Sequence, residues 1–444
     1  MDSFSVRRRG LRAGLVMVLG ACTLLASAAP VSAKATRRAH RSSGRWVATW
    51  AASVQAGSSV ALSTFGEPTS PAVSGFDNQT VRNIVFTSMG GDVLRIHLSN
   101  TFGAQPLVVG SSSVGVELAG AQLAPGTIRN VTFNGSRSVT IPAGAEVTSD
   151  PVRLAVHPLE DLAISLYLPS PTGPTTYHFA SQQTNYVASG DQTAQADPAS
   201  YSALASIPPG GSSWFYVSDL DVRASQSSGR TVVAFGDSIT DGWQSQVNAN
   251  DRWPSLLAKR LVAAFGDRAP GTVDEGIGGN RVLNDSPCFG QAALTRFDRD
   301  VLSVPRVRDV ILLEGINDIG FSQSPNTGCS VPNTNVTAGQ IINGYRQLIA
   351  RAHARGLKIF GGTLVPFKGA AYWSPAAEAK REAVNNWIRT SHAFDGVIDF
   401  AKATEDVYDP QYLDPAYNSG DNLHPNDAGY QAMANAINLA MLTH

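Results

Sequence analysis

Residues 231–243 read TVVAFGDSITDGW. The first five are β-branched or apolar without alternation, the pattern of a strand buried on both faces. Gly236-Asp237-Ser238 then breaks the run with turn formers, which puts a serine hydroxyl at the carboxyl end of that strand. In an open parallel sheet, ligands bind at that edge. A Gly-Asp-Ser turn alone is equally an ordinary tight turn, so the rest of the chain has to decide its meaning.

Downstream of this stretch the rhythm is strand, loop, helix. A helix is predicted over 253–265, and strands over 272–274 and 307–313. The clearest helix covers 337–355, where Thr337 and Gln340 form a capping box and Ile341, Ile342, Tyr345, Leu348, Ile349 and Ala352 make one apolar stripe. Gly356 stops it. Strands at 358–364 and 396–400 flank a helix at 376–390. A last helix runs over 425–441, with Pro425 in its first turn. This alternation implies an α/β domain over 230–444, a parallel sheet with helices on both faces.

Upstream, residues 45–223 read as β throughout. Runs at 81–88, 93–98, 113–118, 129–133, 153–156 and 163–168 alternate or are β-branched, and Gly90-Gly91-Asp92, Asn134-Gly135 and Pro142-Ala143-Gly144 punctuate them. That spacing predicts an antiparallel β-sandwich. Residues 224–229, Ala-Ser-Gln-Ser-Ser-Gly, read as a linker.

The chain of 444 residues carries a net charge of −1, but unevenly: residues 1–45 hold nine Lys/Arg and one Asp. The remainder is mildly acidic and has no basic stripe, so nucleic-acid binding is not expected. The basic end reads as an export signal over 1–33, followed by a disordered leader over 34–44. Arg7, Arg8, Arg9 and Arg12 precede an apolar run that ends in Ala26-Ser27-Ala28 and Val31-Ser32-Ala33. A membrane anchor is the alternative, though the run is short for a bilayer span. Leu19-Gly20-Ala21-Cys22 also resembles a lipoprotein processing site, and the arginines suggest the twin-arginine route. A secreted, extracellular protein without stable membrane insertion is expected. Cys288 and Cys329 then remain as the cysteines of the mature chain. Both sit in loop sequence, and an oxidising compartment permits a disulfide between them; two buried free thiols are the other reading.

A serine hydroxyl is a weak nucleophile until a base takes its proton. Asp421-Asn422-Leu423-His424-Pro425 supplies a base and an acid, since His424 alone of the eight histidines has an aspartate three residues before it. The Asp421 carboxylate can reach the ring nitrogen remote from serine and fix the tautomer. Acyl transfer also needs donors for the oxyanion. Gly276-Ile277-Gly278-Gly279-Asn280 and Gly315-Ile316-Asn317-Asp318 each follow a predicted strand and offer backbone N–H groups and the Asn317 amide. Both are also ordinary turn sequences.

Taken in order, these four blocks resemble the SGNH (GDSL) hydrolase superfamily, over about residues 230–444. The resemblance implies a flavodoxin-like α/β/α domain and cofactor-free, metal-free ester hydrolysis. By it, Ser238, His424 and Asp421 form the catalytic triad, and Ser238, Gly279 and Asn317 form the oxyanion hole. Choosing Gly279 over Gly278 is a matter of alignment within Ile-Gly-Gly-Asn. Gly-Asp-Ser-Ile-Thr-Asp-Gly-Trp and the opening Trp46-Val47-Ala48-Thr49-Trp50 are similar to secreted actinobacterial members with an N-terminal β-domain. A metallohydrolase is disfavoured because H-E-x-x-H is missing and the histidines are scattered.

Trp243, Arg281, Phe367, Tyr372 and Trp373 lie in predicted loops leaving strand ends. They are candidates for the substrate rim, and equally for loop anchors. The substrate expected is a small-molecule or polysaccharide ester, foremost a short acetyl ester on a carbohydrate. A lipase- or phospholipase-type acylhydrolase is the alternative, and a carbohydrate-binding protein with an inactive hydrolase scaffold a third.

Overall fold

Five parallel strands stand in the order Gly271–Gly276, Thr231–Gly236, Val307–Leu313, Lys358–Gly362, Gly396–Ile398. By chain order this is 2-1-3-4-5, the doubly wound order of flavodoxin-like sheets. The order reverses at the first strand, so the crevice between its neighbours opens beside Ser238. The computed structural model describes residues 45–61, 71–207, 210–224 and 229–442. The export signal, the leader, Cys22 and positions 225–228 of the linker lie outside the described residues. Among those described, no helix is long and apolar enough to cross a membrane.

The helices form where periodicity places them. Trp253–Phe265 packs on the strand Gly271–Gly276 and against Asp427–Ala436. Ala338–Ala354 packs on Lys358–Gly362 and against Pro375–Thr390. The Thr337–Gln340 capping box closes reciprocally as read. The last helix differs from expectation. It spans Asp427–Ala436 and is capped by the Asn426 side chain, and a separate 3-10 turn follows at Leu439–Leu442. Pro425 is not in its first turn but pairs with Asn418 in an isolated bridge. That bridge extends the backbone next to His424, and the helix cannot start before it is released.

The N-terminal region is antiparallel and β-rich. One sheet has Gln79–Phe86, Asp161–Leu168 and Ser111–Ala119 at its centre, and another is built on Trp46–Ala51, Val217–Arg223 and Gly91–Ser99. Their inward side chains form an apolar core with Trp50, Phe76, Trp214 and Phe215. Ala48 and Ala51 belong instead to the core of the parallel sheet. At Gly271 an added Cβ would stand 2.2 Å from the Ala48 carbonyl oxygen, so only glycine admits this close approach. Residues 44–444 accordingly form one compact unit.

A buried ion pair locks the two sheet systems together. His178 Nε2 lies 3.1 Å from Asp241 Oδ1, each side chain 2 % exposed. His178 Nδ1 lies 2.8 Å from the Ser53 carbonyl oxygen. Both partners are acceptors, so both ring nitrogens carry protons and the ring is an imidazolium. Burial opposes that charge, but Asp241 carries the His178 pKa above its ordinary value. Removing His178 leaves Asp241 with the Arg252 guanidinium at 3.7 Å and the Gly278 N–H, so the loss is that of one charged hydrogen bond, about 1.5–3 kcal/mol. His178→Ala is expected to lower unfolding stability by that amount in urea titration. A change below about 1 kcal/mol would mean that Arg252 or water replaces His178 at Asp241.

Candidate active site

Thr231–Gly236 delivers Asp237 and Ser238 to the sheet edge, where a single helical turn, Ser238–Asp241, begins. Asp237 caps that turn by accepting from the Ile239 N–H at 3.0 Å. Ser238 Oγ lies 2.8 Å from His424 Nε2, and His424 Nδ1 lies 2.6 Å from Asp421 Oδ2. The other Asp421 oxygen accepts from the backbone N–H groups of Leu423 and His424 and from the Ser419 hydroxyl. Burial alone pushes the Asp421 carboxyl up. The His424 hydrogen bond and charge, with the backbone N–H bonds, outweigh it and hold the carboxyl well below the usual carboxylate range. The relay therefore ends in a fixed negative charge.

The two glycine-bearing blocks meet beside this relay. Gly279 has φ +74°, and a Cβ there would stand 2.4 Å from the Phe289 ring. Asn317 donates from Nδ2 to the Asn280 carbonyl at 3.0 Å, and its Oδ1 accepts from the Tyr372 hydroxyl at 3.2 Å. Asp318 accepts from the N–H groups of Val282 and Leu283, so one block positions the backbone of the other. Gly278 N–H donates to Asp241 Oδ2 at 3.2 Å, which ties the same loop to the serine's own turn.

Beneath the edge lies Arg296, fully buried. It donates from Nη2 to the Gly236 carbonyl at 2.8 Å, from Nη1 to the Glu275 carbonyl at 2.7 Å, and from Nε to Asn280 Oδ1 at 3.0 Å. Its Nη2 also lies 3.6 Å from Glu314 Oε2. Nη1 reaches Asp300 Oδ2 at 3.1 Å and Ser53 Oγ at 2.8 Å. Burial and Asp300 push Glu275 well up, while burial and Asp237 do the same to Glu314. Burial pushes Asp300 up as well, but Arg299 and Arg296 outweigh it and hold its carboxyl down. The Ser53 hydroxyl stands between these two acids, 2.6 Å from Glu275 Oε2 and 2.9 Å from Asp300 Oδ2, and donates to them.

A pocket of about 190 Å³, open at its mouth, holds Ser238, His424, Asn317, Gly278 and Gly279. Its wall is apolar: Phe179, Trp243, Phe289, Phe321, Tyr372 and Leu423. Two of the expected rim residues, Trp243 and Tyr372, are on it. Three are not. Arg281 is buried, and its guanidinium donates to the carbonyls of Asp285, Val331 and Pro332, because those loop carbonyls offer it partners that the rim does not. Trp373 packs against the parallel sheet's core with Lys368 over its ring, and Phe367 is wholly buried in that core. Cys288 and Cys329 are bonded to each other, with Cα atoms 5.1 Å apart, in the loops that Arg281 holds. Sequence reasoning missed Phe179, Phe289, Phe321 and Leu423 on the wall and Arg296 beneath it. Among the described residues, no group of three His, Cys, Asp or Glu side chains is placed to hold a metal ion.

The doubly wound sheet thus carries Ser238, His424 and Asp421 in hydrogen-bonded relay at its switch point. Residues 234–432 match the model of the GDSL-like Lipase/Acylhydrolase family. No curated protein matches the chain. Among solved structures it is similar to LAE5, an alpha/beta hydrolase enzyme from the metagenome of Lake Arreo, at 25 % identity, covering 48 % of this chain and 94 % of that one with a TM-score of 0.38. It is also similar to Axe2, an acetyl xylan esterase from Geobacillus stearothermophilus, at 20 % identity, with coverages of 47 % and 92 % and a TM-score of 0.37.

Asp237 carries a testable electrostatic consequence. Its Oδ2 has no hydrogen-bond partner among the described residues, and burial, with Asp318 nearby, pushes its carboxyl up to about 7. An acid with a raised folded pKa loses stability as pH climbs from its unfolded value to its folded one. For Asp237 that window runs from 3.8 to about 7. Asp237→Asn keeps the cap and removes the ionisation, so above the window the variant should be more stable than the parent by roughly 1–3 kcal/mol. Urea titrations at pH 5 and pH 8 measure this; parallel pH slopes for parent and variant would rule Asp237 out as the source.

Proposed function

We propose that this protein is a secreted serine esterase that cleaves carboxylic esters through an acyl-enzyme on Ser238. The observation that carries the reading is the relay of 2.8 Å and 2.6 Å from Ser238 through His424 to Asp421. His424 takes the Ser238 proton as Oγ attacks the ester carbonyl. The N–H groups of Ser238 and Gly279 and the second Nδ2 hydrogen of Asn317 receive the oxyanion, and Tyr372 and Asn280 hold the Asn317 amide for it. His424 then protonates the leaving alcohol, and water repeats the sequence on the acyl group. The Cys288–Cys329 bond supports export, since disulfides persist in oxidising compartments. The shared apolar core of the N-terminal sheets supports reading them as a β-sandwich.

The apolar wall supports an ester with one apolar substituent, an aliphatic acyl chain or an aromatic group. An acetyl ester on a carbohydrate fits the same pocket if a sugar ring lies against the Trp243 or Tyr372 face. Hydrolysis of p-nitrophenyl esters from acetate to palmitate, beside acetate release from acetylated xylan, separates the two. Ser238→Ala is expected to abolish turnover of every substrate while leaving the unfolding transition in place, and full activity in it would sink the mechanism. Asn317→Ala should reduce kcat by about 100–1000-fold with a smaller change in KM. A loss confined to KM would take Asn317 out of the oxyanion hole.

A further inference from the structure

We propose that Phe179, supplied by the N-terminal antiparallel region, is a specificity-determining residue of the ester pocket, fixing the size of the apolar group accepted beside Ser238. The inference rests on the esterase reading above. Phe179 lines the same pocket as Ser238 and His424, although it stands 59 positions before the serine in the chain. Its ring stacks on Trp243, with centroids 6.4 Å apart and planes at 12°, and Trp243 in turn lies 6.4 Å from the His424 ring. The two aromatic faces thus form a continuous wall that starts at the catalytic base.

That wall is held rigidly from behind. His178, the neighbour of Phe179 in the chain, is the imidazolium paired with Asp241, and Asp241 belongs to the serine's own helical turn. Phe179 N–H donates to Gln55 Oε1. Arg252 donates to the Ser181 carbonyl, Gln183 donates to Asn250 at 2.6 Å, and Asn248 N–H donates to the Gln182 carbonyl at 3.0 Å. On the far side, a Cβ at Gly210 would stand 2.7 Å from the Trp243 ring. Segment 178–183 is therefore clasped to segment 241–252 at successive positions. A ring anchored in this way excludes volume instead of yielding to a larger substrate. Hydrophobic pockets discriminate by about 10–200-fold per methylene when they cannot yield.

The test uses the full chain with Phe179→Ala, Phe179→Leu and Phe179→Trp, active sites being counted by titration with a fluorophosphonate. Two substrate series are compared: p-nitrophenyl esters with acyl groups from acetate to decanoate, and acetate esters with alcohols from methyl to naphthyl. Along one series, Phe179→Ala should raise the kcat/KM ratio of large to small substrates by about tenfold or more. Phe179→Leu should move it part of the way, and Phe179→Trp in the opposite direction. If Phe179→Ala fails to fold, the opposed shifts of the other two decide the matter. Profiles parallel to the parent along both series would overturn the proposal. A parent that hydrolyses none of these esters, or a fully active Ser238→Ala, would overturn the esterase reading itself.

Discussion

One guanidinium organises the catalytic edge. Arg296 is sealed from water, and its donors are spent on the carbonyls of Gly236 and Glu275, the amide of Asn280, the hydroxyl of Ser53 and the carboxylate of Asp300. Two of these carbonyls end adjacent strands, and Asn280 fixes the loop whose carbonyl orients Asn317. A buried arginine without such partners would cost far more than any packing gain. The strands must therefore end where they do, in register, with the Gly-Gly turn folded beside them. The Phe235 ring, with the Arg296 guanidinium 4.1 Å from its centroid, covers the remaining face of the charge.

The charges around this arginine are balanced with economy. Glu275, Glu314 and Asp237 are all pushed towards their neutral forms by burial, and Asp300 is held ionised by Arg299 and Arg296. Asp421 differs from Glu275, Glu314 and Asp237: its carboxyl is held well below the usual range at the far side of His424, where its charge favours the imidazolium.

How much of this was legible follows from the range of each interaction. The parallel strands, the helix at 253–265 and the capping box at Thr337 depend on neighbours within one turn or one strand, and the sequence displays them. The relay was legible because His424 and Asp421 are three residues apart and Ser238 follows directly on an unmistakable strand. Arg296 was not, because apart from Asp300, four residues on, its partners lie 16 to 243 residues away in the chain and Ala-Leu-Thr-Arg-Phe looks like any amphipathic turn. Phe179 was hidden for the same reason, since nothing local distinguishes a pocket aromatic from a core one. Arg281 was misplaced because a charged residue after a Gly-Gly-Asn turn resembles a rim residue until the carbonyls of Asp285, Val331 and Pro332 are seen to surround it. The start of the last helix moved because Pro425 satisfies a bridge with Asn418, a pairing that helix rules do not anticipate.

Ser53 gives the molecule a temporal constraint. Its hydroxyl joins Glu275 and Asp300, residues 222 and 247 positions later, and the strand just before it, Trp46–Ala51, pairs with Val217–Arg223. The earliest described strand thus lacks its ladder partner until about half of the chain has been made, and Ser53 lacks its acids until later still. Such long-range closure is slow and leaves strand edges exposed in the interim. The catalytic edge cannot form progressively during synthesis, and an unfinished chain cannot carry a working ester site.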